Sequence, residues 1–135
     1  MSDLAITVDF ESDLPIYRQI ADQIRALVAR RQLVDGEELM SVRQLGSMIG
    51  VNQNTIARAY RILADEGLVE LRHGSGARIR VPRSPYRDAA VVVDDHERRL
   101  HDIISRLVLQ GASRSEVEKV LLAAVKRFYD GVEPL

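Results

Sequence analysis

The sequence predicts a mainly α fold with a small β-hairpin: a compact N-terminal domain followed by a C-terminal two-helix extension. Three observations carry this expectation. Residues 41–61, SVRQLGSMIGVNQNTIARAYR, read as two short helices joined by a glycine turn. Residues 68–81, LVELRHGSGARIRV, read as two short strands around a Gly-rich tip. Residues 94–130 carry two apolar stripes at helical spacing, with Gly111 between them.

Taken in order, residues 5–10, AITVDF, alternate apolar and polar side chains and are expected as a short strand. Pro15 opens a helix at its first turn, with Asp13 as the N-cap. That helix places Ile16, Ile20, Ile24, Leu27 and Val28 on one face, and Arg30 and Arg31 suit the negative end of its dipole. VDGEEL is a turn centred on Asp35-Gly36. Ser41 and Gln44 form a capping-box pattern. Leu45, Met48 and Ile49 follow as the apolar stripe, and Gly50 accepts the left-handed backbone that ends a helix. Asn52 caps the next helix. There Ile56, Ala59, Tyr60 and Leu63 share a face, and Asn54, Arg58 and Arg61 lie opposite. Asp65-Glu66-Gly67 ends that helix.

A short helix, a tight turn and a second helix with an outward amide and guanidinium face suggest helix-turn-helix. A hairpin directly after it is the wing of a winged helix-turn-helix, and its glycines let the backbone approach a surface closely. The GSG tip is no phosphate cradle, because a strand follows it where such sites require a helix N-terminus. Residues 82–93 read as a linker broken by Pro82 and Pro85. A helix is expected from Asp94 or Asp95, with Leu100, Ile103, Ile104, Leu107 and Val108 as its stripe. Gly111 ends it, and Ser113 with Glu116 forms a second capping box. The last helix carries Val117, Val120, Leu121, Ala124 and Phe128. The expected division is therefore 1–81 winged helix-turn-helix, 82–93 linker and 94–135 helical dimerisation region. A two-helix hairpin buries its stripes only partly and needs a second surface; the ten stripe residues just named are the candidate contacts with a second copy.

Composition bounds the function. The 135 residues include no Cys, which excludes disulfides, thiolate metal sites and Cys nucleophiles. No apolar run approaches the ~18 residues of a membrane span, and the acidic N-terminus lacks a signal-peptide pattern, so a cytoplasmic protein with no membrane partner is expected. Net charge is −1, so no global basic field exists. Locally the balance differs: residues 43–83 hold seven Arg (43, 58, 61, 72, 78, 80, 83) against Asp65, Glu66 and Glu70, an excess of +4. Gln53, Asn54 and Thr55 cluster at the helix N-terminus that enters a major groove in this motif. Asn and Gln pair with adenine, Arg with guanine, and Thr with a thymine methyl or a phosphate.

Residues 39–81, with the helix opening Pro15-Ile16-Tyr17-Arg18-Gln19-Ile20, resemble the DNA-binding domain of the GntR family of bacterial transcription regulators. The segments that carry the resemblance are Ser41-Val42-Arg43-Gln44-Leu45, GVNQNTIARAYRILADEGLVE and His73-Gly74-Ser75-Gly76. The short C-terminal extension resembles the YtrA subfamily. The resemblance implies a dimeric repressor, in many members of a transporter operon. It also implies that Arg43 contacts DNA from the first helix of the motif, that residues 53–58 read the major groove, and that His73-Gly74 reaches the minor groove. The chain departs from the family pattern at Met40, where Pro is usual, at Gln53, where Arg is frequent, and at Ala77-Arg78-Ile79 of the wing.

The expected DNA-contacting set is Ser41, Arg43, Asn52, Gln53, Asn54, Thr55, Arg58, His73, Gly74 and Ser75. The expected partners are double-stranded DNA with an inverted-repeat operator and a second copy of the chain; a small-molecule effector is left open. Some residues have plainer readings. Arg43 could pair with Glu37 or Glu38, and His73 could be an ordinary hairpin residue. His96 and His101, five apart on one helix, read as a solvated face rather than a metal site, and no cofactor is expected. No nucleophile–base pair or phosphate loop suggests an enzyme. A winged helix that binds only protein would share the same core, but the chemistry of Gln53 to Arg58 argues against it.

Overall fold

The structure is a computed structural model that describes residues 5–74, 76–81 and 89–130, with side chains from residue 96 onward in the last segment. Eight elements follow in order: α1 (Ile16–Ala29), β1 (Glu38–Leu39), α2 (Val42–Ile49), α3 (Gln53–Asp65), β2 (Val69–Leu71), β3 (Ala77–Ile79), α4 (Ala89–Leu109) and α5 (Arg114–Asp130). The chain forms two compact units, Met1–Pro82 and Arg83–Leu135.

In the first unit α1 and α3 pack together beneath a three-stranded antiparallel sheet of order β1-β3-β2. Ile20 and Ile24 of α1, Leu45 of α2, and Ile56, Ala59, Tyr60 and Leu63 of α3 form its core, closed by Leu39, Val69, Ala77 and Ile79 from the sheet. Each is removed from water almost completely, and every large aliphatic side chain so buried stabilises the fold by roughly 1.5–3 kcal/mol. The inward face of α3 is the one its periodicity predicts.

The motif's local chemistry is as its residue types dictate. The Ser41 hydroxyl accepts from the Gln44 amide at 3.1 Å, and the Gln44 side chain accepts from the Ser41 amide at 3.2 Å, so the capping box is complete. Gly50 takes φ 70°, ψ 36° and ends α2. Asn52 caps α3 by accepting from the Asn54 amide at 2.8 Å. In the wing, β2 and β3 pair Val69 with Ile79, Glu70 with Arg78 and Leu71 with Ala77.

Several expectations change. Residues 5–9 form no strand and join no sheet; side chains of α1 take their backbone bonds. The Gln23 carbonyl oxygen accepts from the Thr7 amide at 3.0 Å, and Gln19 accepts from the Asp9 amide at 2.8 Å while donating back to the Asp9 carbonyl. Asp13 does not cap α1. Pro15 stands at the N-cap, and the Ser12 hydroxyl accepts from the Leu14 amide instead. Arg30 and Arg31 fall just beyond α1, with Arg31 in the left-handed region at φ 60°. The segment expected wholly as a turn contributes a strand: after the bend at Gly36, Glu38 pairs with Arg78 and Leu39 with Ala77. Two residues show no alternation, so only the neighbouring β3 could reveal them as a strand.

In the second unit α4 begins at Ala89 rather than at Asp94, since the run AAVVV continues the helix upstream and the acids fall inside it. Residues 82–88 of the expected linker lie outside the described residues, and 89–93 belong to α4. Gly111, at φ 98°, ends α4 as expected. The Ser113 hydroxyl accepts from the Glu116 amide at 3.2 Å and opens α5.

Candidate nucleic-acid interface

α2 and α3 meet at the Gly50 turn so that the N-terminus of α3 borders a shallow, open groove. Its lining is Arg43, Gly46, Ser47, Val51, Asn52, Gln53 and Asn54. Four of the ten expected DNA contacts therefore share one surface: Arg43, Asn52, Gln53 and Asn54. Ser41 stands beside it, one residue ahead of α2, with its hydroxyl engaged as a cap acceptor. Asn52 likewise spends its carbonyl oxygen on the cap and retains its amide donors. Thr55 is half-buried, and Arg58 is exposed one turn further along. His73 and Gly74 lie exposed at the wing tip, with Gly74 at φ 98°. Ser75 lies outside the described residues.

Gly46 is a residue the sequence reading passed over. A Cβ built there would sit 2.6 Å from the Val51 carbonyl oxygen, far inside contact distance. The Val51 amide donates to the Gly46 carbonyl at 2.9 Å, so the turn packs directly on the α2 backbone. A signal was available: glycine inside a short helix costs about 1 kcal/mol against Ala and usually has a packing reason. Tyr17 is a second such residue. It sits beside the apolar stripe of α1, and the Arg58 guanidinium lies over its ring, 3.9 Å from the centroid.

Two groups of arginines in the first unit differ in their partners. Arg78 pairs with Glu38 at 3.2 Å, Arg80 with Glu70, and Arg25 bridges Asp22 and Glu66 at 2.8 and 2.6 Å. The Arg80 hydrogen bond, and then its charge, hold the Glu70 carboxyl below the usual carboxylate range. These cations are committed to the fold. Arg43, Arg58 and Arg61 have no ion pair or hydrogen bond of the side chain among the described residues. The expected alternative of an Arg43 pair with Glu38 does not form, because Glu38 holds Arg78 across β1 and β3. Among the described residues the cations of 43–83 left without an ion pair are thus Arg43, Arg58 and Arg61 on α2 and α3, and the exposed Arg72 beside the wing tip.

Of the expected dimer contacts, Leu100, Ile103, Val108, Val120 and Ala124 are exposed; Ile104, Leu107, Leu121 and Phe128 are half-buried; and Val117 is buried. The sequence stripe missed a second exposed set: Leu109, Leu122, Val125 and Tyr129, with Leu122 and Tyr129 at 70% and 81% exposure. His96 and His101 are exposed on α4, His101 lying 3.8 Å from Glu97. Among the described residues no helix is long and apolar enough to cross a membrane.

A helix-turn-helix that presents amides and free guanidinium groups beside a Gly-tipped wing defines a DNA-binding transcription regulator. The family described as bacterial regulatory proteins, gntR family, matches residues 16–79. The HTH-type transcriptional regulator YhcF of Bacillus subtilis, itself uncharacterized, is 36% identical over 127 residues, which span 90% of this chain and 96% of YhcF. The chain belongs to the GntR family, and within it is YtrA-like. The HTH-type transcriptional repressor YtrA of the same bacterium is 39% identical over 74 residues, 55% of this chain and 57% of YtrA. A crystal structure described as a transcriptional antiterminator from Listeria monocytogenes superposes with TM-score 0.79 at 28% identity, covering 95% of both chains.

Proposed function

We propose that this regulator is a homodimeric repressor that binds an inverted-repeat operator in a transporter-type operon including its own gene. The observation that carries the reading is the groove at the α3 N-terminus, where Gln53 and Asn54 meet the unpaired Arg43, with Arg58 one turn beyond. Amide and guanidinium groups are the side chains that pair with adenine and guanine edges, and the N-terminal half of the second helix is the part that enters the groove. In this reading Gln53, Asn54 and Arg58 read bases, and Thr55 contacts a thymine methyl or a phosphate. Ser41, Arg43 and Asn52 hold the backbone, and the wing tip at His73, Gly74 and Ser75 reaches the minor groove. Similarity to the repressor YtrA supports repression over activation.

The dimer rests on apolar surface in the second unit. Val117 is buried there, so it is unavailable to a partner. The exposed residues Leu100, Ile103, Val108 and Val120 remain from the expected set. Leu122, Val125 and Tyr129 add a stripe roughly 100° further round α5. Two-fold symmetry of the protein then matches two-fold symmetry of the operator, and the second half-site binds at high effective concentration.

The test is a mobility shift on a duplex enriched from a randomised library by the full-length chain. Asn54→Ala and Arg58→Ala should each weaken that complex by about 1–3 kcal/mol; both side chains face away from Ile56 and Tyr60, so Asn54→Ala should leave thermal unfolding unchanged and Arg58→Ala should cost at most the ~0.5–1 kcal/mol of its Tyr17 contact. Parent-like binding by both variants would remove α3 as the reading helix. Failure to enrich any duplex would leave the winged helix as a protein-interaction module.

A further inference from the structure

Arg58 differs from the other free cations of the α2–α3 face in having a protein neighbour. Its guanidinium carbon lies 3.9 Å from the centre of the Tyr17 ring, across the α1–α3 contact. Tyr17 is half-buried and packs on the core cluster, so its ring is held by the first unit rather than by solvent. Attraction between a cation and a ring face engages no N–H in a directed hydrogen bond. All five guanidinium donors therefore stay uncommitted, in contrast to Arg25, Arg78 and Arg80, each of which donates to a carboxylate. An arginine with free donors and a fixed position has already lost much of the rotamer freedom that binding would otherwise remove.

We propose that Tyr17 of α1 is a positioning residue for sequence recognition: its ring holds the Arg58 guanidinium so that α3 meets the duplex with that side chain already oriented. The proposal rests on the reading of Arg58 as a base-contacting residue. Tyr17 acts through Arg58 and touches no base itself. It makes α1 part of the specificity apparatus, although α1 lies outside the helix-turn-helix. The phenolic oxygen is not needed, because the ring face supplies the attraction.

The test is a double-mutant cycle on the duplex enriched by the full-length parent, with Tyr17→Leu, Arg58→Ala and both together. Tyr17→Leu should weaken binding about two- to fivefold, the range a partly exposed cation–ring contact supports. Combined with Arg58→Ala it should add nothing further, and Tyr17→Phe should restore parental affinity. Additive losses would overturn the proposal, as would an unweakened Tyr17→Leu complex beside a weakened Arg58→Ala complex; the second result would leave Arg58 as a reader. A harmless Arg58→Ala, or a library that yields no preferred duplex, would overturn the reading of Arg58 and this proposal with it.

A second measurement needs neither DNA nor a stable Tyr17→Leu variant. The side-chain Nε–H resonance of Arg58 should be shifted upfield by the ring current in the parent and in Tyr17→Phe. An unshifted resonance in the parent would overturn the proposal.

Discussion

At the scale of single residues, the groove proposed for recognition depends on one atom that is absent. Gly46 has no Cβ, and that absence lets the Val51 carbonyl sit against the α2 backbone. No flexible side chain stands there to move aside, since the clash in Gly46→Ala is with the Val51 backbone. That variant should lose about 1–3 kcal/mol of stability and reorient Gln53 and Asn54, which share the groove with Gly46. Thermal unfolding checks the first effect, and operator affinity measured well below the midpoint checks the second. Arg43 makes a different prediction. With no carboxylate partner among the described residues, Arg43→Ala should cost the fold little. If Arg43 meets a phosphate, the variant should lower affinity on all sequences and reduce the log–log salt slope by about one unit. An unchanged slope with lost discrimination would make Arg43 a base reader.

At the scale of elements, Tyr60 ties α3 to the strand-to-helix connection before α2. Its hydroxyl donates to the Met40 carbonyl at 2.7 Å, and burial pushes the phenol well above its ordinary value of 10.0. The sign follows from the neutral form being the one that folds. The contribution is complete below the unfolded phenol's pKa and is lost as pH rises through it toward the raised folded value. The parent should therefore lose stability above about pH 10 more steeply than Tyr60→Phe. At neutral pH the same substitution should cost about 1–2 kcal/mol by leaving the Met40 carbonyl without its donor. Denaturant unfolding at pH 7 and pH 10.5 checks both. The Met40 carbonyl is thus a fixed point at the start of the motif, in the position where the family usually has Pro.

At the scale of the whole molecule, the division into two units predicts separable behaviour. A chain ending at Arg83 contains all of the first unit and its core, and should fold as a monomer that binds a full palindrome far more weakly than the parent. For the interface, Val125→Asp and Leu122→Asp are cleaner probes than Leu107→Asp or Leu121→Asp. The former pair is exposed, whereas the latter is half-buried and would also disturb the second unit itself. Sedimentation at micromolar concentration should show Val125→Asp as a monomer of parental helicity. A dimer of undiminished stability would move the interface elsewhere.

Much of this was legible in the sequence because it depends on near neighbours. The capping box at Ser41, the left-handed Gly50, the Asn52 cap and the inward face of α3 each follow from residues within one or two turns, so composition and spacing suffice to read them. The family resemblance, drawn from motifs in order, extends the same information. What tertiary structure alone decided involves partners far apart in the chain. Glu38 and Leu39 became a strand because β3 lies beside them, 38 or more residues later. Residues 5–9 lost theirs because Gln19 and Gln23 supply the bonds. Which arginines are free depends on where Glu38, Glu66 and Glu70 fold, and no local pattern encodes that. Helical periodicity marks which face of α5 is apolar, but how much of that face the chain covers itself depends on packing between distant residues. Hence Val117 is spent inside and Tyr129 is left outside.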